Sequence, residues 1–225
     1  MDNQFGPVSN PRLTRGEYWL LETAVEMKIP LRFLHPKTCS IEELFNKPGH
    51  GLNQAQLVAT LVELRDAGLI DVSDGSSQRQ SPPTEAQVVA AINSGDRGHG
   101  SLLYELTQQG AIAWEAFAAP DWNQLIGEEY DIDTAEVTSA NRARLETYLD
   151  YLGLIYPAFQ VQIDGSSARI QELTPWQATY WKTLPKGFSA TFCIAWSEGE
   201  VRNDKLSWLA FGGACDYREN WYRWR

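Results

Sequence analysis

The amino-acid sequence predicts an α+β protein organised as two domains, and three observations carry that expectation. Side-chain caps of the kind that open helices recur through the first half. From Phe159 onward the apolar residues repeat at every second position instead. A length of 225 residues, 43% hydrophobic and 21% charged, accommodates two globular cores that need neither disulfide nor metal. The first domain is expected over residues 14–118, and a small aromatic-rich α+β domain with an antiparallel sheet over residues 120–225.

The caps place the helices of the first half in order. Thr14 with Glu17 opens a helix expected to run to about Met27, burying Tyr18, Leu21 and Val25 on one face. Ser40 with Glu43 opens a short second helix that Pro48-Gly49 stops. Asn53 with Gln56 opens a third, with Leu52 and Leu57 stapled across its cap, Leu57, Leu61 and Leu64 as its buried stripe, and Gly68 as its C-terminal turn. Leu69 to Val72 reads as a strand. Thr84 with Gln87 opens a fourth helix, set within Ser, Gln, Pro and Gly that read as loop on both sides. Leu102 to Leu106 restores a strand, and Thr107 caps a last helix holding Ala111, Trp114, Phe117 and Ala118.

The run Leu61-Val-Glu-Leu-Arg-Asp-Ala-Gly-Leu-Ile-Asp-Val72, followed later by Tyr104-Glu-Leu-Thr-Gln-Gln-Gly110, resembles the second half of MarR-like and PadR-like winged-helix domains. The resemblance covers about residues 14–118 and implies a winged helix-turn-helix domain. In such domains a recognition helix ends in a glycine turn, and a two-stranded wing leads into a Leu-Thr-x-x-Gly helix start. Winged helices also serve as protein-interaction modules, so the resemblance bears on fold more than on function. The chain departs from the pattern between the wing strands, where a 29-residue insertion, residues 73–101, replaces a tight hairpin. A simple basic wing finger is therefore excluded.

Extended to function, the resemblance implies that Asn53, Gln54, Gln56 and Thr60 enter the major groove, where amides can pair with adenine edges. Phosphate contacts would fall to Arg65 within the helix and to Lys47 just before it, supplemented by His50, Arg79 and Arg97. The competing reading makes Asn53 a cap and leaves both glutamines in solvent. Charge weighs on the second side, because a formal net charge of −10 opposes approach to phosphate and to acidic membranes. The excess is spread evenly: 9 Lys and Arg face 14 Asp and Glu in residues 1–120, and 10 face 15 in residues 121–225. No basic domain is concealed behind an acidic one.

The second half opens at Pro120-Asp-Trp122, and its acidic stretch Glu128 to Glu136 reads as a solvated linker or short helix. Thr138 or Ser139 then opens a helix burying Leu145, Tyr148, Leu149 and Leu152. Phe159 to Ile163, a turn at Asp164-Gly-Ser-Ser, and Ala168 to Leu173 read as two strands of a hairpin. Trp176 to Trp181 offers a third strand, Phe188 to Trp196 a fourth, and Leu206 to Phe211 a fifth. Seven of the nine tryptophans lie in this half. Trp176 and Tyr180 on one strand face with Trp181 on the other, joined by Trp221 and Trp224 at the Arg-rich terminus, could form a partner or ligand surface. The same aromatics could equally build the core.

Catalysis is not expected. There is no Gly-x-Ser-x-Gly and no metal-binding His pair on a helix, although Asp131, Asp133 and Asp216 remain as scattered carboxylates. His50 and His99 each sit in Gly-His-Gly, which reads as turn rather than as half of a metal site; no metal and no cofactor are implied. Cys39, Cys193 and Cys215 have no metal-like spacing and read as reduced structural thiols. The apolar stretches fall short of the roughly 18 residues of a membrane span, and the opening residues lack a signal-peptide pattern, so a cytoplasmic location is expected. These observations favour a protein-interaction or regulatory module on a winged-helix scaffold, with a protein partner ahead of DNA, room for a homodimer, and no membrane. The alternative is a DNA-binding transcriptional regulator whose aromatic-rich domain dimerises or senses a ligand.

Overall fold

The computed structural model describes residues 12–37, 49–75, 81–94, 102–155 and 161–196. It is a mixed α+β structure with antiparallel sheets, and the chain divides into two compact units between Phe117 and Ala118.

In the first unit, helix α1 (Arg15–Thr23) starts at the expected cap: Thr14 Oγ1 accepts from Glu17 N, and the Glu17 carboxylate accepts from Thr14 N at 2.6 Å. It ends before Met27 because the amides of Ala24 and Val25 bond back to Leu21 and Glu22, tightening the last turn while both side chains stay buried. Strand β1 (Ile29–Pro30) and a 3₁₀ helix (Leu31–Leu34) follow, neither of which the sequence pattern predicts. The helix expected from Ser40 lies outside the described residues.

Helix α2 (Gln54–Asp66) carries the reciprocal Asn53–Gln56 cap, with both bonds at 3.0 Å, and buries Leu57, Val58, Leu61 and Leu64. Gly68 takes a φ of +70°, which lets its amide reach Arg65 O and the Leu69 amide reach Leu64 O, each at 2.8 Å. This pair of bonds ends a helix with a left-handed residue that favours glycine. Strand β2 (Ile70–Ser73) pairs with β3 (Leu103–Leu106), Val72 opposite Tyr104, and β3 also pairs with β1, giving the order β1-β3-β2. The insertion between β2 and β3 carries helix α3 (Glu85–Asn93), which buries Val88 and Ile92 and packs on the 3₁₀ helix and α2.

Helix α4 (Gln108–Ala118) is fixed to the glycine turn by its first residues. Thr107 Oγ1 donates to Gly68 O at 2.5 Å and accepts from Gly110 N at 3.0 Å, while Thr107 N donates to Leu69 O. Gly110 lies so close to the residue after that turn that a Cβ would fall 1.7 Å from Leu69 O. The Leu-Thr-x-x-Gly spacing thus has a steric cause. Trp114, Tyr104, Leu20, Leu21, Ile29 and Leu61 fill the core, where Tyr104 Oη donates to Leu20 O at 3.1 Å.

In the second unit, the acidic stretch is not a linker or helix. It is a hairpin of β4 (Ile126–Tyr130) and β5 (Thr134–Ser139), turned at Asp131 to Asp133. Ala135, Val137 and Ser139 alternate inward on β5, and β4 tolerates glutamates because, among the described strands, it pairs on one side only. Helix α5 (Arg142–Ile155) is capped by Asn141, whose Oδ1 accepts from Ala143 N and Arg144 N; Ser139 instead ends β5 and donates to Leu125 O.

The expected hairpin turn at Asp164 is likewise absent. Residues Val161–Leu173 form one strand, β6, that pairs with the single strand β9 (Gly187–Trp196) on both sides of a register shift between Asp164 and Arg169. The Gly-Ser-Ser sequence is absorbed as a bulge because β9 supplies one continuous partner. The sheet order is β4-β5-β9-β6. Leu145, Tyr151 and Leu152 of α5 cover one face, packing on Val137, Ala190, Phe192 and Ile194. Between β6 and β9, the short strands β7 (Trp176–Gln177) and β8 (Thr183–Leu184) form a separate hairpin.

Candidate functional site

The residues expected to enter a major groove lie at the start of α2, and Asn53, Gln56 and Thr60 are hydrogen-bonded within the chain. Asn53 Oδ1 and Gln56 Oε1 hold each other's backbone amides, and Thr60 Oγ1 donates to Gln56 O at 2.8 Å. Gln54 is half-buried. Arg65 donates through Nε and Nη2 to Asp66 Oδ1 at 2.9 and 2.7 Å, and through Nη1 to Pro83 O at 2.7 Å. Its guanidinium therefore ties the base of the insertion to α2. Glu63 and Asp66 are the exposed charges beside it. His50 cannot supplement phosphate binding either: it is only 5% exposed, lies edge-on to Trp19, and bridges Leu34 O and Leu52 N. Lys47, Arg79, Arg97 and His99 lie outside the described residues.

The aromatic residues of the second unit separate into two roles. Trp176 is buried, its indole laid over Gly187 so closely that a Cβ there would come 2.4 Å from the ring. The expected strand from Trp176 to Trp181 stops at Gln177, because the amides of Ala178 and Thr179 both turn back to Lys182 O. The two-faced display of Trp176, Tyr180 and Trp181 therefore does not form. Trp181 is half-buried at the turn, 5.7 Å from Trp122 in an edge-on pair, and Lys182 Nζ lies 5.2 Å from the Trp122 ring. Tyr180 is half-buried beside it. Trp221 and Trp224 lie outside the described residues, as do Cys39 and Cys215; Cys193, expected as a structural thiol, is exposed on β9.

The sheet face opposite α5 carries a groove that sequence reasoning did not find. It has a volume of about 370 Å³ and is lined by Gly127, Glu128, Glu129, Glu136 and Thr138 on β4 and β5, with Leu173, Trp176 and Gln177 beside them. Glu136 accepts a hydrogen bond from the buried Ser189 hydroxyl of β9. Glu128 of β4, opposite the buried Val137, accepts from Tyr130 Oη at 2.8 Å and Tyr148 Oη at 2.7 Å. The groove residues come from separate strands, so no local spacing marks them; only the paired glutamates within an alternating stretch hint at an exposed strand face.

Among the described residues, no group of three or more His, Cys, Asp or Glu is arranged to hold a metal ion. No described helix is long and apolar enough to cross a membrane. No family model, curated protein or solved structure matches the chain.

Proposed function

We propose that the chain is a protein-interaction module built on a winged-helix scaffold that does not read DNA. The winged-helix part is supported by the strand following the glycine turn, which pairs with the strand leading into Leu-Thr-x-x-Gly, and by the Thr107 and Gly110 contacts that hold this junction together. The observation that carries the function is Arg65. It is the only Lys or Arg in α2, and its guanidinium is spent on Asp66 and Pro83 O. Phosphate contacts supply most of the sequence-independent affinity for DNA. An α2 whose cation is neutralised internally, on a chain of net charge −10, has little with which to engage a phosphate backbone.

Fluorescence anisotropy of mixed-sequence duplex DNA, titrated with the full chain across a salt series, tests this reading. The expected result is no saturable binding even at low salt. Binding that weakens steeply as salt rises would establish phosphate engagement and favour the transcriptional-regulator alternative.

A further inference from the structure

Glu129 and Glu136 stand directly opposite each other in the β4–β5 register, on the face that carries the groove. Like charges placed directly across an antiparallel pair are destabilising. Local violations of this kind concentrate where a fold serves a partner rather than its own stability. A cation between the two carboxylates would remove the repulsion.

Access to that position runs from the sheet edge. β4 is the terminal strand of its sheet and pairs only with β5 among the described strands, so alternate N–H and C=O groups along it point outward. Gly127 lies between this edge and Thr138, its Cα so near that a Cβ would come 2.6 Å from Thr138 Oγ1. The Thr138 hydroxyl fills the space over Gly127. Trp176 and Leu173 wall the far side.

The occupant can be narrowed by charge. A second copy joined through β4 would set Glu128 and Glu129 against their own counterparts, and both copies carry a net charge of −10. The Glu128 carboxylate already accepts from two tyrosine hydroxyls, so an incoming cation gains most at Glu129 and Glu136. A strand added to β4 lies about 5 Å from it and about 10 Å from β5. An extended lysine or arginine and the facing carboxylates span that distance together.

We infer that the β4 edge binds a basic, extended segment of another protein. Its backbone adds a strand to the sheet, and a lysine or arginine on its groove-side face reaches the Glu129 and Glu136 carboxylates. This rests on the protein-interaction reading and names the chemistry of the partner.

The test uses the full chain and a fluorescent alternating Thr-Lys peptide of about seven residues, the usual length of a strand. A control peptide of equal charge carries proline in place of alternate threonines, which removes the amides needed for pairing. The alternating peptide is expected to bind, the proline peptide at least about fivefold more weakly, and the variant Glu129→Gln with Glu136→Gln to lose about fivefold or more, as removal of partly exposed ion pairs implies. Glu63→Gln, removal of one exposed charge in the first unit, is expected to leave affinity unchanged. Glutamine at 136 keeps an acceptor for Ser189, and a thermal melt confirms that the double variant is folded. Absence of binding, equal affinity for the two peptides, or an equal loss in Glu63→Gln overturns the inference. A chain that binds duplex DNA instead of the peptide refutes the protein-interaction reading itself; one that binds neither refutes this inference alone.

Discussion

Replacement of His50 by alanine tests the entry to α2. Leu52 N donates to His50 Nδ1 at 3.0 Å, so that nitrogen carries no proton, and the neutral ring donates from Nε2 to Leu34 O at 2.9 Å. The ring also lies edge-on to Trp19 with centroids 5.3 Å apart, in a site 5% exposed. Alanine removes both hydrogen bonds, leaves a buried carbonyl and an amide to find new partners, and deletes the aromatic contact. Typical values for these losses give a destabilisation of about 3 kcal/mol. Two finer variants divide it. His50→Asn offers an acceptor near the Nδ1 position and His50→Gln a donor near Nε2, so each should recover part of the loss. The assay is urea denaturation followed by tryptophan fluorescence and far-UV circular dichroism, fitted to two transitions where the units melt separately. A change below about 0.5 kcal/mol for His50→Ala, the range of ordinary surface substitutions, would refute the bridging role.

Three further substitutions have defined outcomes. Gly110→Ala places a Cβ 1.7 Å from the Leu69 carbonyl oxygen, a backbone atom that cannot rotate away; the first unit should lose about 3 kcal/mol or more in the same melts. Gly187→Ala drives a Cβ against the Trp176 indole at 2.4 Å and should cost about 1–3 kcal/mol while exposing Trp176, seen as a red-shifted emission. The Lys186 ammonium, hydrogen-bonded to Glu172 at 2.6 Å, holds that carboxyl below the usual carboxylate range; partial desolvation opposes it, and Coulomb attraction to Lys186 and the Thr174 hydroxyl reinforce it. A depressed carboxylate stabilises the fold at pH values above its unfolded pKa, and the contribution is lost as pH falls through the folded one. Lys186→Met should therefore raise the Glu172 titration midpoint in NMR; an unchanged midpoint would contradict the pairing.

The parts of the fold that the sequence discloses are those determined within a few residues. The caps at Thr14, Asn53 and Thr84 each close through a partner three positions on, and all three form as their residue types require. Gly68 and Thr107 are legible for the same reason. Elements fixed by distant partners are not. β1 is two residues long, contains a proline, and exists because Tyr104 and Leu103 pair with it. β4 and β5 look like a charged linker because an outer strand can carry glutamates on both faces, and β5 is held on its other side by β9, distant in sequence. Asp164 looks like a hairpin turn for want of any local sign that both halves of β6 share one partner. The groove is hidden twice over, since it is formed between strands and its glutamates lie in a stretch that reads as a linker or short helix.

The claim that α2 is a scaffold rather than a reader is tested most directly by amide NMR of the full chain with duplex DNA added at low salt. Arg65 remains bound to Asp66 and Pro83, and Asn53 and Gln56 remain in their cap. The expected spectrum therefore shows no shifts from Asn53 through Asp66. Saturable, salt-sensitive shifts at Gln54, Thr60 and Arg65 would contradict that claim and restore α2 to the major groove.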